Sequence, residues 1–287
     1  MNNIPRIKRE DILNKLRKQV QSGVPIIGSG AGVGLSAKCA EIGGADIIII
    51  YNSGRFRMAG KASICGRFPF SNANRVVIEM ADEIFPVVKH TPVIAGVHGS
   101  DPFREMERFL WEIAERGFSG VQNYPTMGSV LDNISTDLTD SGIGYDKEVE
   151  MVRLAHKLDL LTTPYCFNVE HTKAMVDAGA DIIVAHMGLT SSGLIGSNAA
   201  FALDECVEKI KDIADTAVSI NPDVFVICHG GSITQPHEAQ YIFDRVENIS
   251  GFFGASSAER LPVEKAIAST VKSLKQLTIS EEGRVSQ

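Results

Sequence analysis

The chain has 287 residues, 44% hydrophobic and 22% charged, with a net charge of −7. This is the balance of a globular protein with enough apolar material for a core, and the negative charge argues against a nucleic-acid-binding surface. No apolar stretch reaches the roughly 18 residues that a membrane-spanning helix needs, and the opening MNNIPRIKREDILNKL has neither an apolar signal core nor a cleavage site.

Residues 8–22 predict an amphipathic helix, with Ile12, Leu13, Leu16 and Val20 on one side. Eight short apolar runs follow: Pro25–Ser29, Asp46–Asn52, Pro92–His98, Gly120–Tyr124, Leu161–Asn168, Asp181–Met187, Asp223–His229 and Ile249–Ala255. Each is too short for a buried helix and is bounded by Gly, Pro or Asp, so each reads as a strand buried on both faces. Helix-period segments lie near 35–43, 75–89, 102–116, 145–158, 170–178, 201–219, 236–246 and 262–277. Asp101-Pro102, Gln235-Pro236 and Leu261-Pro262 place Pro near a first helical turn, where its missing N–H costs little.

Eight strand–helix units predict an α/β fold, a closed (β/α)8 TIM barrel over about 24–277, with the 8–22 helix as an extra N-terminal element covering its bottom. The whole chain, 1–287, then forms one domain. The long connections, 53–74, 125–144 and 188–198, all follow strands and fall on the face where barrels carry their active sites. Five scattered cysteines without a CxxC pair suggest neither a disulfide framework nor a cysteine-rich zinc site, and a cytoplasmic location is expected.

The strand ends define the candidate site. Glycine-rich turns after strands 7 and 8 carry Gly230, Gly231 and Ser232, then Gly254, Ser256 and Ser257. Backbone N–H groups in such turns commonly receive phosphate or carboxylate; plain turn chemistry is the competing reading. Gly28, Ser29 and Gly30 end strand 1, Tyr51 and Asn52 strand 2, and Asn123 strand 4, as further candidate binding residues.

His98, His186 and His229 end strands 3, 6 and 7. Imidazole suits proton transfer near neutrality, but zinc ligation and a purely structural role stay open. Among carboxylates, Glu170 is preferred over Asp101 because strand 5 delivers it near Asn168 and His186; either also suits a helix start. Arg55, Arg57, Lys61 and Arg67 in 53–74 would make a cationic lid over an anion, or simply a solvated loop. Gly32-x-Gly34-x-x-Ala37 touches the dinucleotide fingerprint, but strand 2 ends without an acid for a ribose.

On GSGAGVGLSAKCAEIGGADIIIIYNSGRFRMAG (28–60), QNYPT (122–126), AHMGLTSSGLIG (185–196), CHGGSI (228–233) and GFFGASSAERLPVE (251–264), the sequence resembles the phosphoenolpyruvate hydrolase-like barrel family. The resemblance implies a domain shared with the C-terminal part of plant tobamovirus-resistance proteins and with bacterial relatives. It also implies an analogy to phosphoenolpyruvate mutase and isocitrate lyase barrels, which hold magnesium with acidic residues at strand ends. Here strands 2 and 3 end in Tyr51-Asn52 and His98, so strand-end carboxylates do not indicate a divalent metal, and the cofactor stays unknown.

The expected function is an enzyme acting on a small anionic metabolite, a phosphorylated or carboxylated 2-oxo acid or enol, by hydrolysis or lyase chemistry. His186 and Glu170 would serve as acid and base, and His98 and His229 as orienting or catalytic groups. The alternative is a non-catalytic, ligand-sensing or protein-binding barrel. Self-association into a homo-oligomer is expected; nucleic-acid and membrane partners are not.

Overall fold

The computed structural model describes residues 6–130, 132–198 and 200–279; the remainder of the expected single domain lies outside them. All strands are parallel: β1 (Ile26–Ala31), β2 (Ile47–Ile50), β3 (Val93–Val97), β4 (Gly120–Asn123), β5 (Leu161–Thr162), β6 (Tyr165–Cys166), β7 (Ile182–His186), β8 (Phe225–His229) and β9 (Gly251–Gly254). Their order is β5-β4-β3-β2-β1-β9-β8-β7-β6. This is a curled parallel sheet of the TIM-barrel type, with β1 bonded to both β2 and β9.

All eight expected runs carry strand, but the fifth is divided. Pro164 has no N–H to give to a ladder, and β5 and β6 lie on either side of Thr163-Pro164. β5 pairs only with β4 and β6 only with β7. Side chains fill the gap: Gln122 Nε2 donates to the Thr163 carbonyl (3.1 Å), and Asn123 Oδ1 accepts from the Tyr165 N–H (2.7 Å).

The helices are α1 (Arg9–Gln21), α2 (Gly34–Ile42), α3 (Asn52–Met58), α4 (Ala73–Ile84), α5 (Met106–Glu115), α6 (Asp132–Asp140), α7 (Tyr145–Lys157), α8 (Val169–Asp177), α9 (Leu203–Ile220), α10 (Pro236–Phe243) and α11 (Arg260–Lys275). Two of them correct the sequence reading: α3 and α6 lie inside segments read as long loops. The 53–74 segment also carries a 3-10 turn, Ser63–Arg67. The expected 102–116 helix starts only at Met106, because Asp101 accepts the Phe103 N–H and Glu105 caps the helix through the Arg108 N–H. α4 stops at Ile84, because Pro86 has no N–H with which to continue the helical ladder.

The core follows the barrel logic. Ile47, Ile48, Ile49 and Ile50 are all buried, because a β2 side chain points either into the barrel or beneath the helices. α1 lies at the N-terminal ends of the strands. Arg9 is doubly bonded to buried Asp181, Gln19 donates to Asp46 and Lys15 pairs with Asp46. α11 differs from the other long helices: Ile267, Val271 and Leu274 lie exposed along it. Among the described residues, no helix is long and apolar enough to cross a membrane.

Candidate active site

β7 and β8 end side by side in His186 and His229, which are register partners. Both rings are buried, with centroids 4.8 Å apart. Their tautomers are fixed by backbone partners. The Gly188 N–H points at His186 Nδ1 (2.9 Å), so that nitrogen is the acceptor and the neutral ring carries its proton on Nε2. His229 Nδ1 faces the Phe253 carbonyl (2.8 Å), which can only accept, so Nδ1 carries the proton and Nε2 keeps its lone pair.

Burial pushes His229 down to about 4, against the Phe253 hydrogen bond. Burial, His229 and Arg67 together hold His186 well below the ordinary histidine value. Both rings are therefore neutral near pH 7, one offering a donor and the other an acceptor. The Tyr165 ring packs against both, 4.7 Å from His186 and 5.2 Å from His229, and Phe253 stacks directly on His229 at 4.7 Å.

These residues line a narrow cavity of about 30 Å³ at the C-terminal strand ends. Tyr51 and Tyr124 form another wall, with rings 4.6 Å apart. The 53–74 segment closes the cavity from above through Ser53, Arg57, Ser63 and Arg67. Ser53 Oγ is 2.5 Å from both the Tyr124 hydroxyl and the Ser63 carbonyl, so α3 and the 3-10 turn are tied to the tyrosine wall.

The two arginines differ. Arg57 is buried with Glu259: its Nε donates to Glu259 Oε2 (2.9 Å), and Nη2 comes within 2.8 Å of that oxygen without completing a hydrogen bond. Glu259 Oε1 accepts from the Gly32 N–H and the Ser36 hydroxyl, both at 2.5 Å. The Tyr51 ring lies 5.3 Å from the Arg57 guanidinium. Despite burial, the nearby Tyr51 and Glu259 keep Arg57 firmly charged.

Two glycines permit this arrangement. A Cβ on Gly32 would stand 2.1 Å from the Gly54 carbonyl oxygen, so the β1 loop touches α3 only because neither residue has a side chain. Arg67 lines the same cavity, forms no ion pair among the described residues, and leaves its buried Nε without a partner.

Of the residues expected from the sequence, His186, His229, Tyr51 and Ser256 line the cavity. His98 does not: it is half-buried at the end of β3, where Asn74 bonds both its N–H and its carbonyl. Glu170 is exposed in the first turn of α8, outside the cavity. Asn123 faces Tyr165 and Glu148, and Asn52 donates to the Gly66 carbonyl. Gly28 packs on Phe253, Gly30 backs onto Arg57, and Ser29 lies in an apolar groove between β1, α2 and α11.

The two glycine turns make close packing contacts, and Ser256 of the second lines the cavity. Gly231 donates to the Gly188 carbonyl (3.0 Å), and a Cβ on Gly230 would meet that same oxygen at 2.2 Å. Ser232 donates to the Phe201 carbonyl, and Gly254 packs beside Ala258 and Ser257; neither Gly254 nor Ser257 lines the cavity. From the cationic loop, Arg57 and Arg67 reach the cavity, whereas Arg55 pairs with Glu83 and Lys61 is exposed.

Sequence reasoning missed two carboxyl groups. Glu259 follows Ser256 in an S-x-x-E spacing that signals a helix start, but its carboxylate turns inward to Arg57. Glu148, in the first turn of α7, reads as a solvated helix residue, yet it is fully buried and accepts from Asn123 Nδ2 (2.6 Å), Thr126 Oγ1 (2.7 Å) and the Met127 N–H (2.5 Å).

Magnesium does not fit these residues. The ion needs several oxygen ligands with carboxylate among them. The described residues hold no group of three or more His, Cys, Asp or Glu placed for a metal, and both nearby carboxyl groups are engaged as above.

The phosphoenolpyruvate hydrolase-like family model matches residues 11–277. The chain belongs to that family. Over 272 residues it is 53% identical to the tomato (Solanum lycopersicum) ToMV susceptible protein tm-1(GCR26), covering 95% of this chain and 36% of that protein. The chain thus spans about a third of this relative's length. Among solved structures, 2,3-dimethylmalate lyase of the PEP mutase/isocitrate lyase superfamily aligns at a TM-score of 0.59 and 17% identity, over 96% of this chain and 90% of that one. Phosphonopyruvate hydrolase, in complex with oxalate and Mg++, aligns at 0.59 and 14% identity, over 98% and 92%. These two likenesses establish the family's TIM-barrel-like fold.

Proposed function

We propose that the cavity binds a small anion, a phosphorylated or carboxylated 2-oxo acid or enol, and that the paired histidines move a proton within it during hydrolysis or C–C or C–O bond cleavage. One observation carries this reading: the Arg67 guanidinium, without an ion-pair partner among the described residues, shares a cavity with two neutral imidazoles of opposite tautomer. Arg67 meets the anionic group in a charge-assisted hydrogen bond. His186 Nε2–H donates to the oxygen on which charge develops, and His229 Nε2 receives the proton. The tyrosine wall and Arg57 position the ligand and exclude water. Small carboxylates appear in the names of the structural neighbours, which supports the ligand class.

The test is to incubate the protein with a panel of 2-oxo acids, phosphoenolpyruvate and malate-type acids, follow products by NMR, and measure oxalate binding by calorimetry. Turnover supports the enzyme. Binding without turnover supports the second reading, a ligand-sensing barrel. The absence of both rejects the site.

Other features support the remaining expectations. One buried core joins the strands and helices, which supports one domain, and the Arg9–Asp181 bond supports α1 as the cover of its bottom. The five cysteines are free, which suits the cytoplasm. The uncovered stripe Ile267, Val271 and Leu274 on α11 beside the apolar groove supports pairing with a second copy of the chain.

A further inference from the structure

Glu148 is a buried carboxyl whose hydrogen-bond partners, Asn123, Thr126 and the Met127 N–H, are all neutral. Burial favours the protonated form of such a group, while the hydrogen bonds donated to it and any nearby positive charge favour the carboxylate. The other ionisable groups facing it are the Tyr145 hydroxyl on its own helix, the Cys166 thiol on β6 and the Arg67 guanidinium above. Of these, Arg67 is the cation.

Arg67 also lines the cavity, and it is the cavity arginine without a carboxylate partner among the described residues. The Arg67 guanidinium thus acts electrostatically on a buried carboxyl and also lines the cavity. Asn123 connects the carboxyl to the same site from below. It donates to Glu148 and accepts from the Tyr165 N–H, and the Tyr165 ring lies against both histidines.

We propose that Glu148 is a proton-linked positioning residue for the cavity: when a small anion takes up the charge of Arg67, Glu148 holds its proton, so anion binding and protonation of this carboxyl occur together. The inference rests on the anion-binding reading above. With the cavity empty, the field of Arg67 favours the carboxylate. With an anion on Arg67 that field is cancelled, and the carboxyl is left with burial and neutral partners. By linkage, the anion binds more weakly as pH rises through the titration of Glu148.

Burial pushes this carboxyl up to about 8, opposed by its three hydrogen bonds and by Arg67. His186 and His229 shift to the acid side, while Tyr51, Tyr145, Tyr165 and Cys166 shift to the alkaline side, so among these groups it is Glu148 that titrates near pH 8.

The test uses oxalate as the probe on the full chain. Titration calorimetry is run in two buffers of different ionisation heat, from neutrality to about one unit above the Glu148 value. The expected result is a buffer-dependent heat, showing uptake of a fraction of a proton per oxalate, and an affinity that falls several-fold across that range. In Glu148→Gln, both the uptake and the fall should disappear. Binding with buffer-independent heat and flat affinity overturns the inference alone, as does unchanged uptake in Glu148→Gln. Failure of both oxalate and inorganic phosphate to bind overturns the anion-binding reading and this inference with it. Should Glu148→Gln not fold, infrared difference spectra of the wild type near pH 8 decide: a protonated-carboxyl band that grows on adding oxalate supports the linkage, and an unchanged band overturns it.

Discussion

His186 and His229 end adjacent strands with opposite tautomers, each fixed by one backbone hydrogen bond. Because the partners are main-chain groups, neither ring can exchange roles without losing its bond. Replacing His229 with Asn should cost roughly a hundredfold or more in turnover of whichever panel acid reacts, as for loss of a general base. The base works when neutral, so activity should stay flat down the pH scale and fall only near the His229 value of about 4. An acid limb at the ordinary histidine value would contradict this assignment; steady-state rates against pH measure it.

The two cavity arginines should separate in their effects. Arg67→Gln should weaken oxalate binding by about 1.5–3 kcal/mol, the worth of a hydrogen bond to a charged group, with little change in the urea midpoint. Arg57→Gln leaves Glu259 buried and unpaired, and should cost about 3–5 kcal/mol of stability. Equal unfolding curves for the two variants would refute the distinction.

Glu148 makes stability pH-dependent. Its folded-state value, about 8, lies above the 4.5 of the free group. The folded state therefore binds more protons between these values. The contribution is present in full below 4.5 and is lost as pH rises through about 8. His229 has the opposite sign: its stabilising contribution is present above 6.5 and is lost as pH falls through about 4. Urea unfolding between neutrality and about one unit above the Glu148 value isolates the carboxyl. The wild type should lose stability relative to Glu148→Gln over that span; parallel curves would contradict the burial argument.

Gly32→Ala tests the contact that seats Arg57. The new Cβ would meet the Gly54 carbonyl at 2.1 Å, so the β1 loop and α3 must separate. A cost of about 1–3 kcal/mol is expected, as for overpacking, with weaker oxalate binding because Arg57 moves. Unchanged unfolding and binding would show that the contact does not seat the arginine.

Periodicity located the strands, because the barrel buries both faces of short runs such as Ile47–Ile50. It also placed Tyr51, His186 and His229 at the mouth, since a strand end fixes its last residue in space. α3 escaped because NSGRFRM is short, polar and glycine-containing; tertiary contact through Gly54 and Ser53 determines it. The Arg57–Glu259 pair joins residues 202 apart, and nothing local in the sequence connects them. His98 and Glu170 follow their strands as expected, yet proximity to a strand end does not decide whether a side chain turns inward.

The interruption at Thr163-Pro164 has a consequence for motion. Around the rest of the sheet, neighbouring strands are joined by main-chain ladders, whereas here Gln122 and Asn123 contribute side-chain amides to the joint. Side-chain bonds release more readily than a cooperative ladder, so the sheet should breathe first at this joint. The Tyr165 amide should exchange with deuterium sooner than the amides of β2 and β8. Since the ring of Tyr165 lies against both histidines, each such opening would also loosen the floor of the cavity.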